Sequence, residues 1–225
     1  MQYDRIRRII PAEELTKIQN NHIYIFGLGG VGSYALEALV RMGINEISII
    51  DFDVIDITNL NRQILALQST IQMKKIDVAE ARSKDINPNI IIHKYDKFLN
   101  EDTINEFNLE KADYIIDAID FVNGKIALAA FAYNHNIPII SAMGTGNKMD
   151  YSSYRITDIT KTKICPLAKK IRLELRKRNI KHLKVIYSEE NPIVKTTPPG
   201  SISYMPAIAG LMIAGEVIKD LKEKI

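Results

Sequence analysis

Residues 22–53 read HIYIFGLGGVGSYALEALVRMGINEISIIDFD, and the order of residue types in this stretch decides the architecture around it. An apolar run from Ile23 to Phe26 turns sharply through Gly27, Gly29, Gly30 and Gly32 into an amphipathic segment carrying Leu36, Leu39 and Val40 at helical spacing. Gly43 stops that helix, and a second apolar run, Ile44 to Ile50, ends on Asp51 and Asp53. This is a strand-helix-strand unit of the nucleotide-binding kind. The tight turn needs positive φ and close backbone approach, which glycine permits. It also aims N–H groups from the positive end of the helix dipole at a point where a phosphate can sit. Asp51 lies 19 residues beyond Gly32, at the end of the next strand, where a carboxylate can accept hydrogen bonds from ribose hydroxyls. A bare structural turn is the competing reading; four glycines with a correctly spaced acid count against it.

Outward from this unit the pattern repeats. A short helix over Ala12 to Gln19 precedes it, behind a basic arm. After a polar crossover, Val54 to Ser69, helical periodicity runs from Ile71 to Asp85 and stops at Asn87-Pro88, before a strand at Ile90 to His93. Ala112 to Ile116 reads as a buried strand, Lys125 to His135 as a helix and Ile137 to Ser141 as a strand. The alternation predicts an α/β fold, a Rossmann-like, mostly parallel sheet with helices on both faces. The C-terminal third is less regular: a basic helix over Leu167 to Arg178, a Pro-rich stretch from Ser188 to Gly200 and a closing helix from Ala207 to Leu221. We expect a single domain over residues 1–225, with a core at 20–145 and a substrate-facing extension, 146–225, packed on the same domain.

Composition narrows the setting. The 225 residues and 46% apolar content supply an ample core, and 30 Lys+Arg against 27 Asp+Glu give only +3 overall, too little to announce a nucleic-acid partner without local clustering. A single cysteine, Cys165, excludes an internal disulfide framework and a CxxC zinc pair, so a reducing cytoplasm is the simplest expected location. The N-terminus lacks the apolar core of a signal peptide, and the apolar stretch near Met205 to Ile218 is interrupted by Glu216, so no membrane insertion is expected.

A glycine turn with Asp51 would serve NAD as well as ATP. The next motifs discriminate. Asp51-Phe-Asp53 is followed by Thr58-Asn-Leu-Asn-Arg62-Gln63, by the pair Lys74-Lys75, and by Asp117-Ala-Ile-Asp120 at a strand end. Hydride transfer develops no phosphate charge for a guanidinium and an ammonium to neutralise, whereas phosphoryl or nucleotidyl transfer does. Arg62 offers a planar fork for phosphate oxygens, Lys75 a mobile point charge, and such charged hydrogen bonds are worth roughly 1.5 to 3 kcal/mol each. Asp120 supplies the hard oxygen that Mg²⁺ prefers beside phosphates.

In this order the motifs resemble the ubiquitin-activating enzyme superfamily, over about Asp4 to Ser141. That resemblance implies adenylation of a carboxylate by ATP, with Mg²⁺ as cofactor and pyrophosphate leaving, in a homodimer whose subunits exchange an arginine. By position it implies a nucleotide site of Gly27, Gly29, Gly30, Gly32, Asp51, Asp53, Asn59, Arg62, Gln63, Lys75 and Asp120, with Asp120 on the Mg²⁺. Arg62, Lys75 and the lent Arg8, with Arg5 as second choice, are then the catalytic residues. Residues 137–146 (IPIISAMGTG), 161–169 (KTKICPLAK), 200–206 (GSISYMP) and Ala209-Gly-Leu211 are similar to one branch, the tRNA threonylcarbamoyladenosine dehydratases. Membership there implies activation of a threonine carboxylate on a modified adenosine in tRNA, followed by ring closure without a protein thioester. The alternative is an adenylyltransferase for a ubiquitin-like sulfur-carrier protein, with a sulfur-transfer protein as partner. A nucleotide-binding scaffold without turnover, or an NAD oxidoreductase, ranks behind both.

Three further features have a functional and a plain structural reading. Lys161, Lys163 and Lys169 would lower the Cys165 thiol pKa, yet a small residue before Pro166 also simply fits a helix start; the structural reading is preferred because a nucleophile needs demonstrated reactivity or a positioned base. Residues 167–184 carry eight Lys/Arg against Glu174 alone, lopsided for a solvated face. Lys169, Arg172 and Arg176 are therefore expected to contact the tRNA backbone. His22, His93, His135 and His182 show no ligand spacing in sequence and are read as core or surface residues.

Overall fold

The structure is a computed structural model and describes residues 2–224. Its centre is a seven-stranded sheet in the order β3-β2-β1-β4-β5-β7-β6. The strands are β1 (His22–Phe26), β2 (Glu46–Ile50), β3 (Ile91–Tyr95), β4 (Tyr114–Asp117), β5 (Ile139–Ala142), β6 (Tyr154–Asp158) and β7 (Lys184–Ser188). All pairings are parallel except β6 with β7. Every residue of β1 and of β4 is buried, which is why these strands read as unbroken apolar runs rather than alternating ones.

Among the described residues, seven α-helices accompany the strands: α1 (Asp4–Arg7), α2 (Ala12–Gln19), α3 (Gly32–Met42), α4 (Lys75–Ile86), α5 (Val122–His135), α6 (Pro166–Lys177) and α7 (Tyr204–Glu223). Residues of α2, α3, α4 and α7 share one hydrophobic core with β1 and β2. A second core joins Ile126 and Ala129 of α5 to Ile171 and Leu175 of α6 and Val185 of β7. Helices thus cover both faces, as the sequence predicts. Gly43 ends α3 at φ +85°, its N–H reaching the Leu39 and Val40 carbonyls. Pro166 occupies the first turn of α6, where a missing N–H costs nothing.

Two elements differ from expectation. The helix predicted from Ile71 begins at Lys75, because residues 71–74 run as a connector whose Lys74 bridges back to Val54. The C-terminal third contributes two strands, β6 and β7, and so extends the same sheet rather than only leaning on it. From β1 the chain moves one way to β2 and β3, and the other way to β4 and β5. The topological switch point therefore lies between β1 and β4, outside their C-terminal ends, where doubly wound sheets leave a crevice.

Candidate active site

A cleft of about 720 Å³ opens at that crevice. Its floor is the glycine turn. Gly27 stands at φ +87°, and a side chain there would also strike the Ala118 carbonyl, so both the turn and the close approach require glycine. Gly29 faces the cleft with only the Gln63 amide nitrogen near a would-be Cβ, at 3.9 Å, which leaves room for a ligand to approach the backbone. Gly30 is held against Pro206, 2.9 Å from where its Cβ would lie. Gly32 is the exception to the expected nucleotide set. It does not line the cleft, and a Cβ there would run into the Gly27 carbonyl, so its role is the close turn behind the floor.

Asp51 sits on the wall at the end of β2. One of its carboxylate oxygens accepts from Leu28 N–H at 2.6 Å, the other from Asp53 N–H at 2.9 Å. Burial pushes its carboxyl above the ordinary range, against the pull of the Lys75 ammonium and of these N–H groups. Lys75, at the first turn of α4, donates to Asp53 Oδ2 at 2.6 Å and lies 3.8 Å from Asp51 Oδ1. It is only 5% exposed. The expectation of a mobile point charge is therefore corrected: the ammonium is pinned between two carboxylates, and Asp53 serves chiefly to hold it.

Arg62, Asn59 and Gln63 come from the TNLNRQ segment that follows β2. Arg62 Nη1 donates to the Thr58 carbonyl and to Asn61 Oδ1, both at 2.8 Å, which fixes the guanidinium at the cleft wall. Asn59 Oδ1 accepts from Asp56 N–H at 3.1 Å, which holds the start of this segment. The buried Gln63 Oε1 has no hydrogen-bond partner among the described residues. Asp120, in the loop after β4, lines the opposite wall and is exposed. Beneath that loop the buried Asp117 takes hydrogen bonds from Lys125 Nζ at 2.9 Å and Ser141 Oγ at 2.5 Å, stapling β4, α5 and β5 together.

Sequence reasoning missed part of the lining. Phe52, Phe98 and Phe121 form an exposed aromatic rim, with ring centroids 5.2 Å apart for the first pair and 5.0 Å for the second. The C-terminal third closes the cleft with Thr145, Gly146, Pro199, Gly200 and Ser201. Asn147 is the hub of this closure: its Oδ1 accepts from Gly200 N–H at 2.6 Å, while Asn61 Nδ2 donates to the Ser201 carbonyl at 3.0 Å. Contacts between residues 140 positions apart leave no local signal in a sequence.

Other expected site residues fall elsewhere. Arg8 caps α1 and does not line the cleft of its own chain. Cys165 is buried as the N-cap of α6, also outside the cleft. Lys169 and Arg176 are exposed on α6, but Arg172 Nη1 donates to the Ile159 and Thr162 carbonyls and to Thr162 Oγ1. Arg172 is thus committed to tying α6 to the preceding turn, a correction to its expected role at a nucleic-acid surface. His22 and His93, read as unrelated in sequence, meet around Glu46 because β1, β2 and β3 lie side by side. Among the described residues, no helix is long and apolar enough to cross a membrane.

A glycine turn, a buried acid at the end of the next strand and two fixed cations around a crevice at the switch point define a nucleotide-binding protein of the doubly wound α/β class. The chain belongs to the ThiF family, whose model matches residues 3–224. It is similar to the tRNA threonylcarbamoyladenosine dehydratase of Bacillus subtilis, with 39% identity over 243 aligned positions, covering 100% of this chain and 96% of that protein. A solved structure of the Escherichia coli tRNA threonylcarbamoyladenosine dehydratase in complex with ATP is similar with a TM-score of 0.94 at 31% identity, covering 99% of this chain and 94% of that one. Similarity to the adenylyltransferase and sulfurtransferase UBA4 of Saccharomyces cerevisiae is narrower, 32% identity over 65% of this chain and 34% of that protein.

Proposed function

We propose that the protein uses ATP to adenylate the threonine carboxylate of threonylcarbamoyladenosine in tRNA and then closes that side chain into a ring with net loss of water. The observation that carries this reading is the likeness to the B. subtilis dehydratase over the whole of this chain, joined to a cleft whose cations surround the glycine turn. In this reading the triphosphate lies over the N–H groups of Gly29 and Gly30 at the positive end of α3, and the ribose hydroxyls donate to the remaining lone pairs of Asp51. The aromatic rim offers a face for a purine.

Arg62 and Lys75 neutralise charge at the α-phosphorus as a carboxylate oxygen of the substrate attacks it and pyrophosphate leaves. The neighbouring carbamoyl group then attacks the activated carbon, the ring closes, and AMP carries away the displaced oxygen. Positioning the tRNA side chain supplies much of the remaining rate. Asp120 is the oxygen donor of the lining that fits Mg²⁺ beside the phosphates, where the ion would add positive charge. Arg8 reaches a cleft only from the other protomer of a homodimer.

For tRNA, Lys169 and Arg176 supply phosphate-facing charge, together with Lys170 and Lys181, none of which has an ion-pair partner among the described residues. The buried Cys165 and the absence of CxxC pairs favour direct ring closure over thioester chemistry. A nucleic-acid substrate of this kind also accords with a cytoplasmic location. The second reading, activation of a sulfur carrier followed by sulfur transfer, rests on the partial likeness to UBA4. Incubating the protein with MgATP and either threonylcarbamoylated tRNA or a ubiquitin-like carrier separates the two. AMP release with the modified tRNA alone supports the first reading; release with the carrier alone replaces it by the second.

A further inference from the structure

At the end of the sheet remote from the cleft, three side chains from three adjacent strands converge. His22 opens β1, Glu46 opens β2 and is its register partner, and His93 lies in β3 opposite Ser48. Glu46 Oε1 is 3.4 Å from His22 Nδ1 and 2.8 Å from His93 Nε2. One ligand atom from each residue lies within 4.8 Å of the others, the one such group among the described residues. The cleft begins where β1 ends, at Phe26, about 13 Å along the strand.

The hydrogen bonds behind His22 determine what its ring presents. The Tyr24 hydroxyl donates to the Asn108 carbonyl at 3.1 Å. Ser48 Oγ stands 2.9 Å from His22 Nε2, and when it takes that nitrogen's N–H the ring presents a bare Nδ1. The lone pair of Nδ1 is then left facing the Glu46 carboxylate. Two electron-rich atoms held 3.4 Å apart need a positive charge between them. Asp113 nearby adds negative charge and Lys111 opposes it.

We propose that His22 Nδ1, Glu46 Oε1 and His93 Nε2 form a binding site for a zinc-class divalent cation. Two imidazole nitrogens and one carboxylate oxygen are a donor set such ions favour, and tetrahedral coordination at about 2.0 to 2.1 Å sets ligand atoms about 3.3 Å apart. The His22–Glu46 pair already meets that spacing, the Glu46–His93 pair needs to open by about 0.5 Å, and the two imidazole nitrogens, within 4.8 Å of each other, need to close by up to about 1.5 Å. Ser48 Oγ, within hydrogen-bond distance of His22 Nε2, orients the ring with Nδ1 toward Glu46, as the partner of a metal-ligating imidazole does. The fourth position faces solvent past the half-exposed His93 and Glu46. Bound there, the ion ties together the starts of β1 and β2 and the middle of β3.

The test uses the untagged full chain, freed of metal by chelation and titrated with Co²⁺ while the visible absorption is followed, then with Zn²⁺ by calorimetry. One equivalent is expected to bind with a tetrahedral Co²⁺ spectrum. Glu46→Gln and His93→Asn, both at half-exposed positions, should each weaken Zn²⁺ binding by at least roughly tenfold, with unchanged circular dichroism, while a control His182→Asn should not. No saturable binding up to millimolar cation overturns the proposal, as does binding that survives both substitutions unchanged.

Discussion

Lys75 shows most directly what folding adds to a sequence motif. Its sequence context marks a cation for phosphate chemistry, but its partner Asp53 stands 22 positions away, so only the meeting of β2 and α4 reveals an ammonium oriented before any ligand arrives. Preorganised charge of this kind acts without reorganising during reaction. Arg62→Ala and Lys75→Met should therefore each lower the rate of AMP formation about 100- to 1000-fold with the circular dichroism unchanged; turnover retained in both would remove these cations from the chemistry. Lys125, 1% exposed and bonded to a carboxylate that is itself fully buried, belongs to the support beneath Asp120. Lys125→Met leaves Asp117 as an uncompensated buried charge and should cost about 3 to 5 kcal/mol in urea unfolding. A loss below about 1 kcal/mol would show that Lys125 is not what compensates this buried carboxylate.

The glycine turn and the helix behind it were readable from residue order alone, since both tight turns and helix stops leave local chemical signatures in Gly27 and Gly43. Strands β6 and β7 were not. β6, YRITD, is a short edge strand with one buried residue, and β7, KVIYS, follows a run of cations that masks its apolar core. The contact of α7 with α3 is equally silent in sequence. There Gly210 packs so closely on α3 that an added Cβ would overlap the Val31 carbonyl. Gly210→Ala should destabilise the fold by about 1 to 3 kcal/mol by forcing α7 off the glycine turn; a neutral result by chemical denaturation would show that the helices separate freely. On α6 the basic residues divide into two kinds. Lys169→Glu with Arg176→Glu should weaken tRNA binding and flatten its salt dependence without changing stability, whereas Arg172→Ala should lower stability by releasing the 159–162 turn. Equal effects of the two changes on tRNA affinity, with stability intact, would contradict this division.

The cleft as a whole is assembled from pieces that sequence separates widely: the first strand-helix unit, the TNLNRQ segment, the loop after β4 and the strap of residues 196–201. The parallel topology brings the first three to one end of the sheet, so their motifs could be placed in advance from fold class alone. The strap, the aromatic rim and the His22–Glu46–His93 group depend on long-range packing and register, and no residue within them announces its partners. The central claim is that one cleft couples ATP cleavage to dehydration of a tRNA side chain. It is tested most directly by incubating the protein and MgATP with tRNA bearing threonylcarbamoyladenosine, then digesting the tRNA and weighing its nucleosides by mass spectrometry. The account predicts a modified nucleoside lighter by one water, formed with one AMP per product and absent without ATP; a nucleoside of unchanged mass, with the protein folded and ATP bound, would contradict it.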